Sequence, residues 1–280
     1  MEIILGKTAG FCKGIKLALD TVSKELDRVD SIECLGDLLH NDQVIARLKE
    51  KGLKIIENIR DAKEKVIIRA HGVKKDIYEY AEKNNIELID CTCPKLLKIH
   101  ELAEKLSQEN YYVVLIGEKS HVEVQGTISF CKNGEIIENL EELKTKIDYL
   151  NTKEKIAVLT QTTYNLQKFL EIENFLKKNL KPNLKIYNSI CNATEIRQEE
   201  TKNISKNVDY MIIIGGRKSA NTNRLYEIAR ENCKRTIKIE EVSELYNQNL
   251  EQINKVGIMA GASTSQKSIE EVIEYLKERE

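Results

Sequence analysis

The residues best suited to chemistry in this chain are its cysteines. There are seven, Cys12, Cys34, Cys91, Cys93, Cys131, Cys191 and Cys233. An odd number with no C-x-x-C pair is a poor basis for a disulfide framework, a zinc ribbon or a thioredoxin-type redox pair. Spacing singles out three of them. Cys12 to His40, Cys93 to His121 and Cys191 to Ser219 are each intervals of 28 residues. Each second landmark follows an apolar, strand-like run: IECLGDLLH, YYVVLIGEKSH and YMIIIGGRKS. A further polar turn closes each stretch, RAHG at 69–72, TQTT at 160–163 and AGAS at 260–263. Three equal offsets landing on polar residues after strands are hard to attribute to chance.

Three thiolates from three repeated stretches suit a four-iron, four-sulfide cluster with one iron left open to a substrate oxygen. Zinc held by three cysteines and a water is the competing inorganic reading. Each of the three cysteines precedes a helical pattern, where the helix N-terminus favours the thiolate, and Pro94 fits the first helical position. Any one cysteine is most often a buried apolar residue, and that reading is kept for Cys34, Cys131 and Cys233. Cys91 lies two residues from Cys93; the helix start and the 28-residue offset favour Cys93.

His40, His71 and His121 all follow strands, and together suggest donors for an anionic group. His100 falls inside a helical pattern and is read as a surface or core residue. Thr162, Thr163, Ser219, Asn221, Asn223 and Ser263 add hydroxyls and amides, and Gly215, Gly216, Gly257 and Gly261 allow close backbone approach. Short donors with helix N-termini make a phosphate cradle. Neither a Walker sequence nor G-x-G-x-x-G is present, so nucleotide binding has no support. Glu123, beside such a site, has reason to keep a proton and act as an acid. His121-x-Glu123 lacks the downstream P-C-x-x-C of a zinc deaminase.

Positioning these residues requires a regular scaffold. Twelve short β-branched runs recur from Glu2–Leu5 to Val256–Met259, separated by charged segments of helical period such as Ile15, Ala18, Leu19, Val22 and Leu26. Alternating strands and helices imply parallel α/β units, with ligands at the carboxyl ends of the strands. The expected division is into 1–85, carrying Cys12, His40 and His71; 86–183, carrying Cys93, His121, Glu123 and Thr162; and 184–280, carrying Cys191, Ser219, Asn221 and Ser263. Each is expected to hold a small, mostly parallel four-stranded sheet.

Composition agrees with a folded globular protein. Hydrophobic residues are 41% of the chain, and 44 Lys and Arg against 45 Asp and Glu leave a net charge of −1. That balance argues against nucleic-acid or membrane-surface partners. No run approaches the ~18 apolar residues of a membrane span. The first residues show no basic segment followed by a long apolar stretch, so a cytoplasmic location is expected.

The segments GFCKGI, LLHN, AHGV, CTCP, HVEVQGT, TQTT, ICNATEIRQ, SANTNRL and AGAS resemble the 4-hydroxy-3-methylbut-2-enyl diphosphate reductase family (IspH or LytB), from residue 11 to about 266. That family closes the methylerythritol phosphate route to isoprenoids. The resemblance implies a trefoil of three α/β domains around a central [4Fe-4S] cluster, with Cys12, Cys93 and Cys191 as ligands. It implies that His40, His71, His121, Ser219, Asn221 and Ser263 hold the substrate diphosphate. Glu123 would supply protons, and Thr162 would place the substrate hydroxyl and relay them. The reaction implied is reductive loss of that hydroxyl as water through an allyl-type intermediate, giving isopentenyl and dimethylallyl diphosphate. The electrons would come from ferredoxin or flavodoxin.

Two departures from the family pattern stand out. Ala220 replaces a second serine after Ser219, so one diphosphate contact loses its hydroxyl or passes to a backbone N–H. The stretch after AGAS reads Thr264-Ser265-Gln266 where relatives commonly carry proline. The alternative readings are a quinolinate-synthase-like cluster dehydratase and a non-catalytic iron–sulfur or zinc redox sensor. Diphosphate reduction would separate the first, and a sensor would not need Glu123 or the three histidine turns.

Overall fold

The short β-branched runs form strands and the amphipathic segments form helices. The computed structural model describes residues 1–181 and 183–279. Along them run β1 (Glu2–Leu5), α1 (Lys13–Leu26), β2 (Ile32–Leu35), α2 (Asp42–Glu50), β3 (Leu53–Ile56), β4 (Lys65–Ile68), α3 (Lys75–Lys83), β5 (Glu87–Asp90) and α4 (Pro94–Gln108). Next come β6 (Tyr112–Ile116), α5 (Val122–Ile128), β7 (Gly134–Ile137), α6 (Leu140–Leu150), β8 (Lys155–Thr160), α7 (Leu166–Asn179) and β9 (Asn183–Ile186). The chain finishes with α8 (Asn192–Ser205), β10 (Tyr210–Ile214), α9 (Ala220–Asn232), β11 (Thr236–Ile239), β12 (Lys255–Ala260) and α10 (Gln266–Lys277).

Three four-stranded sheets result, ordered β3-β2-β4-β5, β7-β6-β8-β9 and β11-β10-β12-β1, and every strand pair is parallel. The topology is the same each time: the first strand of a set pairs with its second and third, and a fourth joins beyond the third. That fourth strand is the one that opens the next stretch of sequence. β5 joins β4, β9 joins β8, and β1 closes the cycle on β12, with Ile3 opposite Val256. Parallel pairing forces a crossover helix between neighbouring strands. The helices after β4 and β8, α3 and α7, therefore deliver β5 and β9 to the same sheets as the strands before them.

The chain divides into two compact units. One joins Met1–Leu17, Leu39–Glu50 and Asn192–Glu280 and holds the β11-β10-β12-β1 sheet; the other joins Ala18–Leu38 and Lys51–Cys191 and holds the remaining two. Sheets covered on both faces need strands that are apolar throughout, and β6 and β8 meet that need. Val114, Ile116, Ile156 and Val158 pack with Phe169 and Ile172 of α7 on one face. Val113, Leu115, Ala157 and Leu159 pack with Leu96, Ile99 and Ala103 of α4 on the other. Each of these side chains larger than alanine contributes about 1.5–3 kcal/mol by burial. In the other unit, Ile212, Ile258 and Ile269 of α10 form one layer, and Met211, Met259 and Leu225 of α9 the opposite one. Among the described residues no helix is long and apolar enough to cross a membrane.

Candidate active site

In each sheet the two central strands, first and third of the set, mark the point where the connections diverge. Parallel sheets bind ligands at the carboxyl end of that point. The polar turns follow those strands, and the cysteines Cys12, Cys93 and Cys191 follow the fourth strands β1, β5 and β9.

In the unit with two sheets, Glu123 lies in the first turn of α5 after β6, and Thr162 follows β8. Glu123 is 5% exposed. Thr162 donates its backbone N–H to Oε1 at 2.6 Å and shares a 2.7 Å bond between its hydroxyl and Oε2. The carbonyl of the same threonine accepts the N–H of Cys191 at 2.9 Å. Burial raises the pKa of Glu123, and the bonds from Thr162 only partly oppose it. The side chain of Gln161 ties the two turns together by accepting the N–H of Glu118 at 3.0 Å.

His121 caps α5, its Nδ1 accepting the Glu123 N–H at 3.2 Å. That acceptor role leaves Nε2 as the proton-bearing nitrogen of the neutral ring. Burial lowers its pKa, and the charge of Arg69 lowers it further against the opposing Glu118. The His71 ring stands edge-on to His121 at 6.2 Å between centroids. The Arg69–Gly72 turn that carries it is closed by the Gly72 N–H on the Arg69 carbonyl at 3.0 Å. Cys93 is the N-cap of α4, with Pro94 at the first position, and its N–H meets the Ala70 carbonyl at 3.0 Å.

The other unit gathers Cys12, His40, Ser219, Asn221 and Ser263. Asn41 donates from Nδ2 to the Ser263 carbonyl at 2.9 Å, and the Ser263 hydroxyl donates to the His40 carbonyl at 3.2 Å. A Cβ on Gly216 would stand 2.5 Å from that same carbonyl, so only glycine lets the turns meet. Ser219 caps α9. Asn221, in the first turn of that helix, is 5% exposed, and neither Oδ1 nor Nδ2 has a hydrogen-bond partner. A buried amide left unsatisfied is costly, and its two polar atoms are available to a ligand.

Other expectations need sorting. Asn223 is committed to structure, accepting from Lys238 Nζ at 2.5 Å and donating to the Arg217 carbonyl. Gly257 lies inside β12 against Met211, and is a packing residue. Ala220 is buried at the start of α9. Where proline was absent after AGAS, Thr264 bonds the Ile214 carbonyl and Ser265 caps α10. Cys34, Cys91 and Cys131 thiols are pushed up to about 12, first of all by burial; Cys12, Cys93 and Cys191 are partly exposed. His100 is a core residue. Among the described residues no group of three or more His, Cys, Asp or Glu lies close enough to hold a single metal ion. Gln161, Arg197 and Glu200 were not singled out from the sequence; Gln161 and Arg197 fall within the TQTT and ICNATEIRQ segments, and Glu200 lies two residues past the latter.

Repeated parallel sheets, each delivering one cysteine and two polar turns at the carboxyl ends of its strands, define an α/β protein in which a buried glutamate is bonded to the threonine that holds the Cys191 backbone. The chain belongs to the LytB family, whose profile matches residues 3–277. It is 38% identical to the 4-hydroxy-3-methylbut-2-enyl diphosphate reductase of Caldanaerobacter subterraneus subsp. tengcongensis, over 99% of this chain and 97% of that protein. A reductase of the same name from Nitratiruptor sp. is also 38% identical, over 99% and 98%. The solved structure of the Plasmodium falciparum E-1-hydroxy-2-methyl-but-2-enyl-4-diphosphate reductase superposes with a TM-score of 0.91 at 30% identity, covering 99% of this chain and 88% of that one. A second solved structure superposes with a TM-score of 0.71 at 37% identity, covering 99% and 100%. It is described as the (E)-4-hydroxy-3-methyl-but-2-enyl diphosphate reductase, the terminal enzyme of the non-mevalonate pathway.

Proposed function

We propose that this chain reduces (E)-4-hydroxy-3-methylbut-2-enyl diphosphate to isopentenyl and dimethylallyl diphosphate, with loss of water. The observation that carries this reading is the Thr162 node, where a buried glutamate and the Cys191 backbone are bonded to one residue. The reading assigns Cys12, Cys93 and Cys191 as ligands of a [4Fe-4S] cluster. Their donor chemistry fits: each is a partly exposed thiol at the end of a fourth strand, whereas Cys91 is buried. Such a cluster takes one thiolate per iron, so its ligands need not share one ion's coordination shell. When bound, it supplies low-potential electrons and one iron open to an oxygen ligand.

The chain's own residues do the rest. Glu123, whose pKa burial raises, is assigned as the proton source, and the Thr162 hydroxyl, hydrogen-bonded to Oε2, relays a proton to the substrate hydroxyl, which leaves as water. The carboxylate then recovers a proton for the second delivery. His40, His71, His121, Ser219, Asn221 and Ser263 are assigned to the diphosphate, with His121 donating from Nε2. Ferredoxin or flavodoxin is assigned as electron donor on the strength of the family resemblance.

Anaerobically purified and reconstituted protein, reduced by a low-potential viologen dye, tests the reading. Substrate-dependent dye oxidation with both C5 diphosphates as products is expected. A cluster-loaded protein that leaves the substrate unchanged overturns it.

A further inference from the structure

α8 begins directly after Cys191, yet the face it buries is polar: Thr194, Arg197, Gln198, Thr201 and Ser205. A helix that merely packed would bury an aliphatic stripe. Arg197 is 4% exposed, and its guanidinium is directed to the loop between β1 and Cys12. Nε and Nη2 donate to the Thr8 carbonyl at 2.9 and 2.5 Å, and Nη2 also reaches the Gly10 carbonyl at 2.8 Å. Glu200, one turn further along the same face, takes the donors of that loop. The Lys7 and Thr8 N–H groups approach at 2.6 and 2.9 Å, and the Thr8 hydroxyl at 2.5 Å.

The loop is also pinned at both ends. The Gly6 N–H bonds the Ile258 carbonyl at 2.9 Å, and the Cys12 N–H bonds the Ala262 carbonyl at 3.1 Å. Gly10 sits at φ +96°, a conformation that other residues adopt only under strain. Burying a guanidinium is costly unless every donor direction is met. Here that cost is accepted for a loop whose one residue of redox or ligand chemistry is Cys12.

We propose that Arg197 and Glu200 are positioning residues that clamp the backbone from Lys7 to Gly10 and so fix the Cys12 sulfur for cluster ligation. The proposal rests on the assignment of Cys12 as a ligand. It identifies what holds that ligand still: the helix headed by Cys191 grips the loop that carries Cys12. Glu200 suits this role as a carboxylate. Burial opposes its ionisation, but the Thr8 and Lys7 donors and the charge of Arg197 hold its pKa below the usual value.

The test compares reconstituted full-length holoenzyme as wild type, Arg197→Lys, Glu200→Gln, Asn203→Ala and Cys12→Ser. Asn203 is exposed on the same helix and serves as the control. Iron release to a chelator under anaerobic conditions and hydrogen exchange of peptides covering residues 6–12 are both read. Arg197→Lys and Glu200→Gln are expected to release iron about 10- to 100-fold faster, with faster exchange in the 6–12 loop and Asn203→Ala unchanged. Wild-type release rates in both clamp variants, with Cys12→Ser devoid of cluster, overturn the clamp and leave the ligand assignment standing. Faster release without faster loop exchange also overturns it. A fully loaded Cys12→Ser overturns the ligand assignment, and the clamp with it.

Discussion

The backbone carbonyl of Thr162 accepts the N–H of Cys191 at 2.9 Å while the Thr162 hydroxyl lies 2.7 Å from Glu123 Oε2. β8 and β9 are neighbours in one sheet, and β6 lies on the other side of β8. Glu123, Thr162 and the Cys191 backbone are therefore set by the ends of three consecutive strands, β6, β8 and β9. A site built on strand ends keeps its geometry to within the precision that proton transfer demands.

Replacing Glu123 by Gln keeps the volume and removes the proton. The variant is expected to bind substrate with KM within a few-fold of wild type, while kcat falls on the order of 10²- to 10⁴-fold. The pH profile should change with it. An acid of raised pKa is competent below that pKa, so wild-type kcat falls as pH rises through it, and Glu123→Gln should lack this limb. Steady-state kinetics under anaerobic conditions check both; near-normal turnover removes Glu123 from the reaction.

Cys93 and Cys91 should behave oppositely when changed to serine. Cys93 opens α4 and is partly exposed. The Cys91 thiol is pushed up to about 12 by burial and then by the neighbouring Asp90, so it resists becoming a thiolate. Iron and sulfide analysis of anaerobically purified protein should show loss of the cluster in Cys93→Ser and retention in Cys91→Ser. The reverse pattern would mean that the ligand is the other thiol.

Most strands were legible because a doubly covered parallel sheet demands β-branched runs, and the Tyr112–Ile116 and Tyr210–Ile214 runs have no competing periodicity. The equal cysteine offsets were legible because the three sheets share one topology. The partner of β1 was not. Nothing in Glu2–Leu5 says that Val256 rather than a nearer strand stands opposite Ile3, since crossover geometry decides that pairing. The inward face of α8 was also hidden. Arg197 and Glu200 look like solvated charges until the loop they hold is folded against them. For His100 the sequence left surface and core both open, and the packing of Phe130 against its ring decides for the core.

Asn221 separates ligand binding from stability. Its amide is buried with neither Oδ1 nor Nδ2 bonded, so in the ligand-free protein it is a cost. Asn221→Leu is expected to raise the unfolding free energy of the substrate-free enzyme by about 1–3 kcal/mol and to raise KM by about tenfold or more. His40→Ala should raise KM in the same direction without loss of cluster. Urea unfolding and kinetics on the same preparations check the pair; a destabilised Asn221→Leu with unchanged KM would make the asparagine a structural residue.

His100 should make stability fall in mild acid. It is 3% exposed, stacked on Phe130 at 4.5 Å, and both ring nitrogens lack partners. Burial lowers its pKa from 6.5 to about 4, against a smaller opposing pull from Asp90. The unfolded chain therefore takes up a proton below pH 6.5 that the folded protein refuses until about pH 4. Unfolding is favoured progressively across that window, and the contribution is intact above it. From pH 8 to pH 5 this group costs about 2 kcal/mol of stability. His100→Phe keeps a ring against Phe130 and removes the titration. Denaturant unfolding of wild type and variant at pH 8 and pH 5 isolates the effect, since other groups cancel in the difference. If both proteins lose the same stability between those pH values, His100 is already solvated or paired in solution, and its imidazole is not the buried neutral base described here.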